Sequence, residues 1–81
     1  MKYVTSGVCS KEINFDIVDN RIKNVTFVRG CAGNLLGIAS LVEGMSINEA
    51  ISRLKGITCG SKPTSCPDQL AKALEKYNTE N

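Results

Sequence analysis

With 81 residues, the chain is long enough for one domain and too short for a second. Hydrophobic residues make up 42% and charged residues 22% of the sequence, as in folded globular domains rather than disordered chains. The net charge is +2, spread along the chain, so neither nucleic acid nor a membrane surface is indicated as a partner. No histidine is present, which excludes imidazole bases and histidine metal ligands.

The sequence also predicts where the protein works. No apolar run approaches the length of a transmembrane helix, and the first residues lead directly into a polar-alternating segment. We therefore expect no membrane span, no signal peptide and a cytoplasmic location. Two tyrosines, two phenylalanines and no tryptophan make a stacking surface for single-stranded nucleic acid unexpected as well.

The first half of the sequence predicts an antiparallel sheet of three strands. Residues 2–5 form a short first strand. Residues 11–18 alternate in polarity, with Ile13, Phe15 and Ile17 on one face, which is typical of a half-buried strand.

A tight hairpin turn is predicted at Asp19-Asn20, because both residue types tolerate positive φ. The return strand covers residues 22–28, with Val25 and Phe27 as its inward pair. The register near Ile22 is ambiguous, because Val28 lies on the opposite face from Phe27.

The second half predicts three helices. The first covers residues 34–43 and is apolar on nearly all sides, so we expect it to be the most buried helix, ending at Gly44. Ser46 followed by Glu49 predicts a capping box that opens the second helix, which ends at Gly56.

A third helix is predicted to begin at Pro67, with Cys66 as its N-cap. Its core-facing residues are Leu70, Ala73, Leu74 and Tyr77. The tail, residues 78–81, is expected to fray. The sequence thus predicts a single α+β domain over residues 1–81, with a three-stranded antiparallel sheet followed by three helices.

Four cysteines form the unusual feature of the composition. They are Cys9, Cys31, Cys59 and Cys66. Short antiparallel connections between the predicted elements place all four at the same end of the molecule. Four thiolates in one site bind zinc tetrahedrally or hold an iron–sulfur cluster, so all four are candidate metal ligands. The sequence does not choose between the two cofactors.

Other interpretations of these cysteines stay open. They could be buried small hydrophobic residues of an interaction module, or structural disulfides, which the expected cytoplasmic location disfavours. Cys59 and Cys66, seven residues apart, could instead form a redox-active thiol pair. No Cys-x-x-Cys motif is present, so the evidence is the predicted convergence rather than the spacing.

Two further features have weaker functional interpretations. Residues 30–34 precede a helix and could bind an anion or a nucleotide phosphate, but they lack the glycine spacing and the lysine of phosphate loops. Asp68 is interpreted as an acid that complements the dipole of the third helix, or as a group that supports Cys66.

The string Thr64-Ser65-Cys66-Pro67-Asp68 resembles the TSCPD domain family, which is named for this sequence. The resemblance extends over essentially the whole chain, including residues 30–34, 42–45 and 54–60. It implies association with ribonucleotide reductases, notably the adenosylcobalamin-dependent class, and a role in deoxyribonucleotide and DNA synthesis. Stand-alone members are commonly labelled ribonucleoside-diphosphate reductase. Metal binding through the cysteines is the role suggested for the family, whereas a chain of 81 residues cannot house the reductase barrel itself.

The layout also resembles, more distantly, the U-type iron–sulfur scaffold proteins. The three cluster-binding cysteines of that family correspond to Cys9, Cys31 and Cys66. Lys11 stands in the place of the acid that labilises the scaffold's cluster, and Ser65 in the place of a residue that is usually histidine. These departures imply a site that retains its metal rather than one that donates a cluster.

Overall fold

A computed structural model describes residues 2–5, 11–29, 32–58 and 60–80 of the protein. The strands are β1 (Lys2–Val4), β2 (Glu12–Val18) and β3 (Arg21–Val28), and the helices are α1 (Ala32–Val42), α2 (Ile47–Leu54) and α3 (Cys66–Glu80). The strands form one antiparallel sheet in the order β1-β2-β3. The predicted α+β fold, a three-stranded antiparallel sheet followed by three helices, is therefore confirmed.

The turn between β2 and β3 has the predicted two-residue form. Asp19 and Asn20 have φ angles of 52° and 63°, and the flanking residues Val18 and Arg21 pair with each other. Positive φ at both central residues is what a type I′ turn requires, and its twist matches that of the two strands. The short polar side chains of Asp and Asn make this conformation less unfavourable than most other residues would.

A β-bulge in β3 removes the ambiguity in register. Two residues of this strand, Asn24 and Val25, lie opposite the single residue Phe15 of β2, and Asn24 has a φ angle of 55°. The extra residue lets Ile22 and Val25 face the same side, and both are buried, at 0% and 6% exposure. The inserted residue therefore adds Ile22 to the core, although strict alternation would have placed its side chain on the opposite face.

The start of β3 pairs with the segment between α1 and α2. The N–H of Ile22 donates to the carbonyl of Met45 at 2.9 Å, and the N–H of Gly44 donates to the carbonyl of Ile22 at 2.8 Å. Gly44 has a φ angle of 79°, which favours glycine, and ends α1 as predicted. Ser46 caps α2 as predicted, because its Oγ accepts the N–H of Glu49 at 3.3 Å.

The prediction that the first helix is the most buried one is wrong. One face of α1 packs against β3 through Leu35 and Val42, whereas Leu36 and Leu41 are 69% and 78% exposed. The most buried helix is α3, whose side chains Leu70 and Leu74 have no exposed surface. A helix that is apolar all round is buried only if elements pack on every side of it, and α1 has contacts on one side in the part of the chain described.

The core lies between one face of the sheet and the three helices. Its buried members are Ile13, Phe15, Ile22, Val25, Val42, Ile47, Ala50, Leu70, Ala73 and Leu74. Phe27 and Tyr77, both predicted to face inward, are half-buried against this cluster. The predicted inward faces of β2 and α3 are therefore confirmed.

Helix α3 is longer than the sequence predicts. It continues to Glu80, where fraying was expected from residue 78 onward. Two contacts support its last turn: the Thr79 hydroxyl donates to the carbonyl of Glu75 at 2.9 Å, and Asn78 Nδ2 donates to Asn48 Oδ1 at 3.4 Å. Among the described residues, no helix has the length and apolar character needed to cross a membrane.

Candidate functional site

The motif residues 64–68 form the start of α3. Cys66 is the first residue of the helix and is half-buried. Ser65 is the N-cap, because its Oγ accepts the N–H of Asp68 at 3.2 Å and its carbonyl accepts the N–H of Gln69 at 2.8 Å. The prediction that Cys66 is the N-cap and Pro67 the first helical residue is therefore wrong by one position. A hydroxyl oxygen accepts hydrogen bonds better than a thiol, and proline is tolerated throughout the first helical turn.

The motif also contains a buried polar cluster. Thr64, Ser65, Asp68 and Gln69 are each no more than 6% exposed. The Thr64 hydroxyl donates to Asp68 Oδ2 and accepts from Gln69 Nε2 at 3.0 Å. Every buried side-chain nitrogen and oxygen in the described part of the chain has a hydrogen-bond partner. The cluster is thus fully satisfied, which is the condition under which buried polar groups stabilise a fold.

Two members of the cluster reach across to the loop that follows α2. Asp68 Oδ1 accepts the N–H of Gly56 at 2.8 Å, and the Ser65 hydroxyl donates to the carbonyl of Ile57 at 2.7 Å. Both contacts engage the backbone of the loop rather than its side chains. We call the contacts of Ser65 and Asp68 with residues 56–57 the loop clasp.

Asp68 therefore does more than the two roles predicted for it. It lies in the first turn of α3, where a negative charge complements the helix dipole, and Lys72 Nζ lies 3.5 Å from its Oδ2. Burial by itself raises the pKa of Asp68, but hydrogen bonds from Thr64 and Gly56 and the charge of Lys72 outweigh burial and hold the pKa below its ordinary value. The carboxylate is thus the form that the folded protein favours.

This shift predicts how stability depends on pH. Because the pKa of Asp68 is lower in the folded than in the unfolded protein, its contribution is complete above the unfolded value of about 4 and is lost as the pH falls through the folded value. We expect the difference in unfolding free energy between wild type and Asp68→Asn to be constant from pH 7 to 5 and to shrink below pH 4. Urea denaturation of both proteins with a chelator present measures it. A difference that grows on acidification would contradict this assignment.

The structure describes one of the four candidate ligands. Cys66 lies at the start of α3, whereas Cys9, Cys31 and Cys59 lie outside the described residues. Among the described residues, no group of three or more cysteine or carboxylate side chains could hold a metal ion. Only one of the four cysteines belongs to that set, so the predicted four-cysteine site stays a prediction.

The described neighbours of these cysteines have defined contacts. The N–H of Lys11 donates to the carbonyl of Val28 at 2.8 Å, and the N–H of Thr5 donates to the carbonyl of Lys11 at 3.1 Å. These bonds close the segment that contains Cys9 and fix the last residue of β3, three residues before Cys31. They lie at the end of the sheet opposite the Asp19-Asn20 turn.

Helices α2 and α3 run antiparallel. Asn48 near the start of α2 contacts Asn78 near the end of α3, and Gly56 after α2 contacts Asp68 in the first turn of α3. The start of α2 lies at the hairpin turn, since the N–H of Ile47 donates to the carbonyl of Asn20 at 3.3 Å. Because α2 leads away from the turn, the start of α3 lies away from the turn as well.

The loop clasp is not among the features predicted from the sequence, although a signal for its N-cap is present. Ser65 and Asp68 have the same three-residue separation as Ser46 and Glu49, from which the cap of α2 was predicted. The same pattern applied to the motif would have placed the N-cap at Ser65. The contacts with residues 56–57 have no such signal, because they join positions that are distant in sequence.

Fold and site together define a small α+β domain in which a half-buried cysteine opens the last helix and buried polar residues hold the preceding loop. The chain belongs to the TSCPD domain family, because the model of the TSCPD domain matches residues 1–78. No curated protein and no solved structure matches the chain. The similarity to U-type iron–sulfur scaffold proteins stays a prediction.

Proposed function

We propose that this protein is a ribonucleotide reductase-associated accessory module whose four cysteines together bind one metal centre, either zinc or an iron–sulfur cluster. The ligands are Cys9, Cys31, Cys59 and Cys66. Membership of the TSCPD domain family supports the association with a reductase and with deoxyribonucleotide synthesis. The observation that carries the metal centre is that described neighbours of the cysteines are in contact in two pairs, Lys11 with Val28 and Ile57 with Ser65.

At the sheet, Lys11 pairs with Val28. Cys9 is two residues before Lys11, and Cys31 is three residues after Val28. An extended chain spans at most about 3.6 Å per residue, so these cysteines lie within about 7 and 11 Å of the hydrogen-bonded pair. Both thiols can therefore reach one point at this end of the sheet.

At the helices, Ile57 and Ser65 are in contact. Cys59 is two residues after Ile57, and Cys66 directly follows Ser65. Since α2 begins beside the hairpin turn and α3 packs antiparallel to α2, this contact lies at the other end of the helix pair. These relations support a common site for the two pairs of cysteines at the end of the fold opposite the turn.

The chemistry of the donors fits a closed metal centre. Four thiolates complete the tetrahedral coordination of zinc or the ligation of a cluster without a histidine, which this chain lacks. Cys66 is half-buried, so its sulfur can join a centre that is shielded by loops at the protein surface. A centre of this kind would also stabilise a small domain, because metal binding and folding are coupled.

Metal content tests the proposal. Protein purified anaerobically without a histidine tag should contain about one zinc per chain and no visible colour, or iron with sulfide and visible absorption. Elemental analysis and an absorption spectrum distinguish the two. Cys66→Ser should lose most of the metal, whereas Ser61→Ala, an exposed change in the same loop, should retain it.

Alkylation of the same samples provides a second test of the metal centre. Thiols bound to a metal should react slowly with iodoacetamide until a chelator removes the metal. Protein that contains no metal and alkylates at once would contradict the metal centre. A defined Cys59–Cys66 reduction potential in that protein would then favour the alternative, a thiol redox protein.

A further inference from the structure

We propose that Ser65 and Asp68 are positioning residues that hold Cys59 within reach of Cys66. They do so by closing the loop of residues 57–65 at both ends through the loop clasp. This inference rests on the proposed function only in treating the two cysteines as members of one site. It assigns a task to the motif residues that are not metal ligands.

The hydrogen bonds of the clasp close the loop on itself. The Ser65 hydroxyl lies 2.7 Å from the carbonyl oxygen of Ile57, so the first and last residues of a nine-residue segment are in direct contact. Asp68 fixes the residue before this segment, through its 2.8 Å bond to the N–H of Gly56. An unrestrained chain of nine residues has an end-to-end distance of about 16 Å. The clasp therefore joins the two residues from which the cysteines are reached along the chain, Cys59 two residues after Ile57 and Cys66 one residue after Ser65.

The anchors themselves are rigid. Ser65 and Asp68 are each 4% exposed, and Thr64 and Gln69 complete their hydrogen bonds. Residues 60–63 are all exposed, so the described part of the loop is held at its ends rather than by packing of its middle. Groups fixed in advance in this way bind a shared ligand more tightly, because less conformational entropy is lost on binding.

The equilibrium between the two thiols and their disulfide measures this positioning without any metal. Oxidised glutathione takes the two electrons and two protons of the Cys59 and Cys66 thiols, and two molecules of glutathione are released as the S–S bond forms. The ratio at equilibrium gives the effective concentration of one thiol at the other. The full-length chain is used, after chelation, in buffers of graded glutathione ratio.

Tryptic digestion separates Cys59 and Cys66 from the other two cysteines. Trypsin cleaves after Lys55 and Lys72 but not after Lys62, which is followed by proline, so Cys59 and Cys66 lie in one peptide, residues 56–72. Cys9 and Cys31 lie in two other peptides, residues 3–11 and 30–53. After alkylation, mass spectrometry therefore distinguishes the Cys59–Cys66 disulfide from every other pairing.

Ser65→Ala and Ser46→Ala form a matched pair of variants. Each removes an N-cap hydroxyl that accepts the N–H three residues later, at 3.2 and 3.3 Å, but only Ser65 also bonds to the loop. We expect Ser65→Ala and Asp68→Ala to lower the effective concentration by about tenfold or more, and Ser46→Ala to leave it unchanged. If Asp68→Ala does not fold, as judged by circular dichroism, the comparison of Ser65→Ala with Ser46→Ala decides.

Three results would overturn the proposal. They are an unchanged effective concentration in Ser65→Ala, an equal loss in Ser46→Ala, and a wild-type protein that forms no Cys59–Cys66 disulfide at any ratio. Metal analysis of the same preparations before chelation separates this outcome from the fate of the metal centre. Metal-free protein with a clasp-dependent effective concentration would remove the proposed function and keep the positioning role.

Discussion

Replacing Asp68 by alanine should lower the free energy of unfolding by about 3 kcal/mol. The change leaves the N–H of Gly56 and the hydroxyl of Thr64 without the carboxylate that now accepts from both. The hydroxyl of Thr64, which is 6% exposed, is a buried donor that retains the cost of removal from water when it loses its acceptor, and the N–H of Gly56 loses its partner in a partly buried contact. Urea denaturation followed by circular dichroism at pH 7 measures the loss.

Glu49→Ala is the matched control, because Glu49 occupies the same position in the first turn of α2 as Asp68 does in α3. Its carboxylate is exposed and pairs with Arg53 at 2.9 Å, so its loss should change stability by at most about 0.5 kcal/mol. Equal losses for the two variants would show that the dipole of the helix, rather than the buried hydrogen bonds, explains the role of Asp68.

Leu70→Ala should reduce stability by about 3 kcal/mol as well, for a different reason. The Leu70 side chain has no exposed surface and lies in the main core cluster, so truncation removes apolar burial and leaves a cavity. A domain of this size has a small free energy of unfolding, so we expect a substantial unfolded fraction of the variant at 37 °C. Thermal unfolding monitored by circular dichroism provides the measurement.

Leu41→Ala removes the same atoms from α1, where the side chain is 78% exposed, and should cost less than about 0.5 kcal/mol. The pair of variants compares the helix that the sequence predicts to be most buried with the one that the structure shows to be so. A loss at Leu41 as large as the loss at Leu70 would mean that another surface covers α1 in solution.

The sheet could be predicted closely because its signals are local. Alternation along β2 and the Asp19-Asn20 turn each depend on neighbouring residues, and both are found in the structure. The bulge at Asn24 could not be predicted, since it shows only as a conflict between Ile22 and Val25 under strict alternation. That conflict was visible in the sequence, but its solution requires the partner strand.

The burial of helices could be predicted less well, because it depends on what packs against them. The apolar residues of α1 indicate a surface that can be buried, and the structure covers only the side carrying Leu35 and Val42. The more polar α3 is the most buried helix because it packs against α2 and its apolar side chains join the core cluster that also contains residues of the sheet. Periodicity identifies a face but not the number of neighbours that it will meet.

For the candidate site, the motif could be recognised from the sequence, but the separate roles of its residues could not. Cysteines attract attention because their chemistry is distinctive, whereas Ser65 and Asp68 act through contacts with Gly56 and Ile57, which no spacing rule connects. The convergence of the four cysteines is predicted from the order and direction of the elements. The structure confirms that order for the described strands and helices, and the convergence itself stays a prediction.

The loop clasp has a practical consequence for protein engineering. It engages a backbone N–H and a backbone carbonyl, so it does not depend on which side chains Ser61 and Lys62 carry. Loop-closure entropy rises only slowly with length, so the cost of a few added residues is small. The stretch between Ser61 and Lys62 is accordingly the natural insertion point for a fluorophore or a peptide tag, which would report on this end of the protein while leaving its core untouched.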